Sequence, residues 1–196
     1  MSFQKIVFLS LTLMLAACSS VPKNPDGIEN GCDIINTADS WHDAFEAAYQ
    51  KYGVPPHVIM AIIYQESKFI HDARPPHKTF LGIPTGRPST AFGYAQALDP
   101  TWDWYIDKSG NNGADRDHFP DAVDFIGWYL SENYKRTGIS KWDAKNQYLA
   151  YHEGTGGFLE GTYLKKPWLM AVSDKVNRRA LMYRQQLSRC YTYPQQ

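Results

Sequence analysis

Glu66 is the residue whose placement most needs a chemical explanation. It follows Val58, Ile59, Ile62 and Ile63 at helical spacing, with Ile70 beyond it, and so sits on the apolar stripe of a helix. A carboxylate there gives up hydration, which raises its pKa. The last turn of the helix adds the negative end of the dipole, which disfavours a second negative charge. Both effects favour a carboxyl that keeps its proton near neutral pH, the state a general acid needs. The spacing alone also fits a structural ion pair with Lys68 or Arg74.

The remaining chemistry is thinner. Glu153, just before Gly154, reads either as a second carboxylate able to activate water or as an exposed acid at a helix end. Asp107, Ser109, Asn111, Asp115 and His118 echo an EF-hand loop, but Asn112 stands where its glycine belongs and His118 where its bidentate Glu belongs. The histidines (His42, His57, His71, His77, His118 and His152) lack close metal-ligand spacing, and there is no Cys-x-x-Cys pair. No metal and no cofactor are expected. Neither a Gly-x-Ser-x-Gly elbow nor a phosphate loop occurs, so acyl and phosphoryl transfer lack support. Acidic and basic residues balance at 20 each, which leaves no electrostatic footprint for nucleic acid or an anionic membrane.

Three segments give Glu66 a context: Gln65-Glu66-Ser67-Lys68-Phe69, then Ala91-Phe92-Gly93-Tyr94-Ala95-Gln96, then Ala150-Tyr151-His152-Glu153-Gly154. In this order and spacing they resemble the soluble-lytic-transglycosylase family, which shares its fold with goose-type lysozymes. That family ends a buried helix on Glu-Ser, continues with a Gly-x-x-Gln turn and later has an Ala-Tyr-Asn-Ala-Gly-like segment. The resemblance implies an all-α, lysozyme-like domain whose substrate is the glycan strand of peptidoglycan. It implies Glu66 as the single acid/base, Ser67 as a group that orients Glu66 or the substrate acetamido group, and Gln96 and Tyr151 as sugar or Glu66 contacts. His152 and Glu153 depart from the family's Asn and Ala, and Tyr94-Ala95 from its Leu-Met. Two other readings stay open: a lysozyme-type hydrolase on the same fold, with Glu153 as base, and a non-catalytic glycan-binding envelope lipoprotein.

The elements that must position these groups are helical. Ser40 with Asp43 resembles a capping box, and Trp41, Ala44, Phe45, Ala48 and Tyr49 come next at helical spacing up to Gly53. Pro55-Pro56 open the helix that carries Glu66. Residues 71–92 contain Pro75, Pro76, Gly82, Pro84, Gly86 and Pro88 and read as a long irregular loop. Further helices are expected after Asp99-Pro100, from Pro120 to Gly138, from Trp142 to a stop at Gly154, and from Ala171 to Arg189. That makes about six helices in one domain. Six Trp, thirteen Tyr and nine Phe either fill its core or line a groove in which rings stack on sugars.

The N-terminus reads as targeting. Lys5 precedes a mostly apolar run, Ile6 to Leu15, that is too short to span a bilayer and ends in Leu15-Ala16-Ala17-Cys18. Residues 1–17 are expected to be a lipoprotein signal peptide and Cys18 the lipidated residue, anchoring the protein to the membrane through lipid alone. Ser19, rather than Asp, resembles the outer-membrane form of Gram-negative lipoproteins. Residues 18–39 read as a flexible tether and 40–192 as the domain. Acylation of Cys18 leaves Cys32 and Cys190 either to pair with each other or to stay free and buried. The sequence identifies no protein partner.

Overall fold

Prolines start four of the helices and left-handed glycines stop three. The computed structural model describes residues 24–193. In chain order the elements are α1 (Gly31–Ile35), α2 (Asp39–Tyr52), α3 (Pro56–Ser67), β1 (Thr79–Phe80), β2 (Ile83–Pro84), α4 (Asp99–Ser109), α5 (Phe119–Thr137), α6 (Ala144–Leu159) and α7 (Pro167–Leu187), with a 3-10 turn at Thr162–Lys165. Proline occupies the first turn of α3, α4, α5 and α7, where its missing N–H costs nothing. Gly53, Gly110 and Gly138 close α2, α4 and α5. The architecture is the all-α one expected, with seven α-helices among the described residues.

Helix α3 is the centre of the domain. Val58 through Ile63 are fully buried, because α2, α5, α6 and α7 all pack around them. Aromatic residues make much of the surrounding core: the rings of Trp41 and Phe119 stack at 3.3 Å, and Tyr94 and Phe69 close around Trp41. Helix α6 is fixed against α5 by Gln147, which is fully buried and donates its amide to the carbonyls of Leu130 (3.3 Å) and Ile139 (3.2 Å). No described helix is long and apolar enough to cross a membrane.

Several expectations are corrected. The tether does not extend to residue 39. Ile34 and Ile35 are buried, and α1 begins at an Asn30 cap whose side chain accepts from the Cys32 N–H. The Pro, Asn and Gly content of this stretch hid a short helix whose apolar pair needed burial. The segment is stitched to α7: Tyr183 donates to the Ile28 carbonyl, Gln186 accepts from the Gly31 N–H at 2.7 Å, and Arg179 pairs with Glu29. A Cys32–Cys190 disulfide completes the junction across 158 residues of chain, which stabilises the fold by about 5 kcal/mol on the chain-entropy estimate. Ser40 is not a cap; α2 starts at Asp39, with Ala38 at the cap position and no side-chain cap. Residues 71–92 are not wholly irregular, since Thr79–Pro84 and Phe80–Ile83 pair as a small antiparallel ribbon. Gly154 breaks α6 as expected, with φ 72° and ψ 161° outside the helical range, but a second stretch of helical turns, not expected, follows it to Leu159. Ile70 leaves the apolar stripe and is 45% exposed, because the chain has already left the helix.

Candidate active site

Helix α3 ends abruptly. Lys68 and Phe69 both take left-handed backbone angles (φ 55° and 62°), a conformation that costs a non-glycine residue on the order of 1 kcal/mol. Phe69 is held there because its ring is fully buried against Trp41. The anchored exit leaves Glu66 in the last turn, at the wall of a cavity of about 410 Å³. Gln96, Phe125, Tyr129, Tyr151 and His152 share that cavity.

Glu66 is half-buried, and loss of hydration raises its pKa to about 7. A hydrogen bond from Tyr148 and the charge of Lys68 pull in the other direction and are outweighed. Tyr148 is buried on α6, and desolvation together with the Glu66 charge holds its phenol far above the usual range, so it stays a donor. Tyr148 was not anticipated from the sequence. Its signal was its position three residues before Tyr151, on the same side of α6.

The anticipated residues take distinct places. Tyr151 lines the cavity, but its hydroxyl donates to the Ala95 carbonyl at 2.6 Å and its ring packs on Tyr129. Gln96 also lines the cavity, and its amide nitrogen donates to the carbonyls of Ala73 and Gly93, both at 2.8 Å. It thereby ties the start of the long loop to the turn beneath it. Gly93 has φ 74°, and a Cβ there would collide with the Arg116 carbonyl oxygen, so only glycine fits this turn. Ser67 is buried outside the cavity lining and donates to Ile63 of its own helix at 3.2 Å. The structure does not bring its hydroxyl into the cavity.

His152 and Glu153 stand at the cavity's edge. His152 lies beside the exposed ring of Trp168, and its Nδ1 is 3.0 Å from Glu153. Glu153 is not the exposed acid of the simpler reading: its side chain is only 4% accessible. Lys166 Nζ bonds both carboxylate oxygens, at 2.7 and 3.0 Å, and Thr162 donates to one of them. The Lys166 and Thr162 bonds hold the pKa of Glu153 down at about 2. Thr162 and Lys166 were also not anticipated, since nothing in the sequence shows that the turn following α6 folds back onto Glu153.

Among the described residues, no group of three or more His, Cys, Asp or Glu side chains is arranged to hold a metal ion. His118 instead pairs with Asp121, its Nδ1 lying 2.8 Å from the carboxylate. Cys18 lies outside the described residues. The cavity thus joins one protonatable carboxyl, its phenol partner, aromatic walls and a second carboxylate already neutralised by a cation. Such a set can donate a proton into a partly apolar site.

No curated protein matches the chain. Residues 6–190 match the family model described as the transglycosylase SLT domain, and the chain belongs to that family.

Proposed function

We propose that this protein is a lytic transglycosylase, anchored to the bacterial envelope through Cys18, that cleaves the bond between N-acetylmuramic acid and N-acetylglucosamine with Glu66 as its single acid/base. The family itself supports cleavage of peptidoglycan glycans in the periplasm. The observation that carries the finer reading is the contrast between the two carboxyls. Glu66 is poised with a pKa of about 7, whereas Glu153 is held at about 2.

In this reading Glu66 donates its proton to the glycosidic oxygen as the bond to C1 of the muramic residue breaks. The substrate's own 2-acetamido group supports the developing cation, so no second protein carboxylate is required. Glu66, now ionised, takes the proton of the C6 hydroxyl, and that oxygen closes onto C1 to give a 1,6-anhydro end. Water does not enter. Tyr148 keeps the carboxyl oriented and stabilises its ionised form between the two steps. Gln96, with its amide committed to the loop, shapes the floor of the site.

The hydrolase alternative needs a general base, and Glu153 is poorly suited to that role. Its oxygens are taken by Lys166, Thr162 and His152, and a carboxylate with a pKa of about 2 is a weak base. The lipid anchor and an outer-membrane position rest on the sequence of residues 1–19 alone.

Glu66→Gln keeps the shape and removes the proton. Release of soluble fragments from purified sacculi should fall by about 10²–10⁴-fold. Equal release by variant and wild type would end the proposal.

A further inference from the structure

A second depression lies on the opposite side of the helix end that carries Glu66. It has a volume of about 450 Å³ and runs between α3 and α7. Lys68, Lys175, Arg178 and Arg179 all line it, over the ring of Tyr64. Lys68 Nζ sits 3.7 Å above that ring and the Arg179 guanidinium 3.2 Å from it. Among the described residues the one carboxylate ion-paired with any of these four cations is Glu29, which pairs with Arg179 at 2.6 Å and accepts from the Tyr64 hydroxyl at 2.7 Å. Lys175 and Arg178 have no ion-pair partner among the described residues.

The arrangement is unfavourable as it stands. Lys175 faces Arg178 and Arg179 at i+3 and i+4 on α7, spacings at which like charges destabilise a helix. Burial, then Arg179, lowers the pKa of Lys68, and Lys175 adds to this, while Glu29 and Glu66 oppose it. An anionic ligand with several carboxylates would relieve this field, and guanidinium groups suit carboxylates through paired hydrogen bonds.

We propose that the α3/α7 groove binds the carboxylates of the peptide carried by the muramic residues of the same glycan. The inference rests on the glycan-cleaving reading above. Its further support is position: Glu66 faces one depression, while Gln65 and Lys68 of the same helix end face the other. Gln65 and Lys68 lie within two residues of Glu66 in the chain, so an acidic peptide on a muramic residue bound at Glu66 need only pass the helix end to meet the cations of the groove. Glycan position would then be read twice, once by the sugar and once by the peptide.

The test uses the full chain, wild type and with Lys175→Gln and Arg178→Gln combined. Both side chains are exposed, so the fold should hold. Two substrates are compared: peptide-bearing strands, and the same strands stripped of peptide by an amidase. The wild type should cut peptide-bearing strands with a kcat/KM about tenfold higher, the double variant should lose that preference, and both should cut stripped strands equally. Equal rates of the wild type on the two substrates would overturn the groove assignment while leaving catalysis intact. Calorimetry with the released stem tetrapeptide supplies a readout that needs no cleavage. Binding by the wild type, lost in the double variant, is expected even if neither substrate is cut. Absence of binding, equal binding by both proteins, or displacement by equimolar inorganic phosphate would refute a peptide site.

Discussion

Tyr148 hydrogen-bonds the carboxyl of Glu66, linking α6 to the last turn of α3 inside the candidate site. The bond opposes desolvation and keeps the Glu66 pKa from rising above about 7. Tyr148→Phe removes it with little change of volume. The pKa of Glu66 should then rise, moving the alkaline limb of the kcat/KM profile upward by about half a unit to one unit. kcat should also fall, because the ionised intermediate loses its donor. An unmoved limb would show that Tyr148 does not act on Glu66.

Stability should carry the mark of the same group. Its pKa rises from 4.5 unfolded to about 7 folded, so the folded state binds the proton more tightly. The proton-linked stability is therefore fully present below 4.5 and is lost as pH rises through 7, by about 3 kcal/mol in all. Glu66→Gln removes that loss. In chemical denaturation the variant should exceed the wild type at about pH 8, and the advantage should vanish near about pH 4. An advantage that does not depend on pH would contradict the raised pKa.

For Glu153 the sign is reversed. Its pKa is lowered to about 2, so its contribution is present above the unfolded value of 4.5 and is lost as pH falls through 2. Glu153→Gln should cost about 1–2 kcal/mol near neutrality through the weakened Lys166 and Thr162 bonds. Activity should drop less than about tenfold, with the products unchanged. A loss of about a hundredfold or more with the fold intact would instead make Glu153 part of the chemistry.

Gly93 and Gly110 allow backbone conformation to be separated from crowding. Both are left-handed, at φ 74° and 73°, but a Cβ on Gly93 collides with the Arg116 carbonyl, while one on Gly110 meets nothing within 4 Å. Gly110→Ala should cost about 1 kcal/mol and leave activity alone. Gly93→Ala should cost at least about 2 kcal/mol more and impair cleavage, because the Gln96 turn must shift. Thermal melts and initial rates on sacculi check both. Equal effects would remove the Arg116 contact from the explanation.

The range of each interaction decides how much was legible in the sequence. Pro56, Pro120, Gly53 and Gly138 act on their own neighbours, and the helices they bound lie within a few residues of expectation. Glu66 was legible for the same reason, since the apolar stripe that desolvates it is local. Tyr148 was not, because its partner lies on another helix and is chosen by packing; Thr162 and Lys166 were not, because they meet Glu153 only when the turn after α6 folds back on it. Gln96 was legible as a residue but not as a loop tie, since the carbonyl of Ala73 that it holds lies 23 residues away. Gly154 was legible as a break, since its positive φ is a local property, but the helical turns from Thr155 to Leu159 that follow it were not.

The most direct test of Glu66 acting with the sugar's own hydroxyl is mass spectrometry of wild-type digests of purified sacculi made in heavy-oxygen water. Fragments with unlabelled 1,6-anhydro ends, absent from Glu66→Gln digests, are expected. Reducing ends carrying the heavy oxygen would contradict this mechanism and identify the enzyme as a hydrolase.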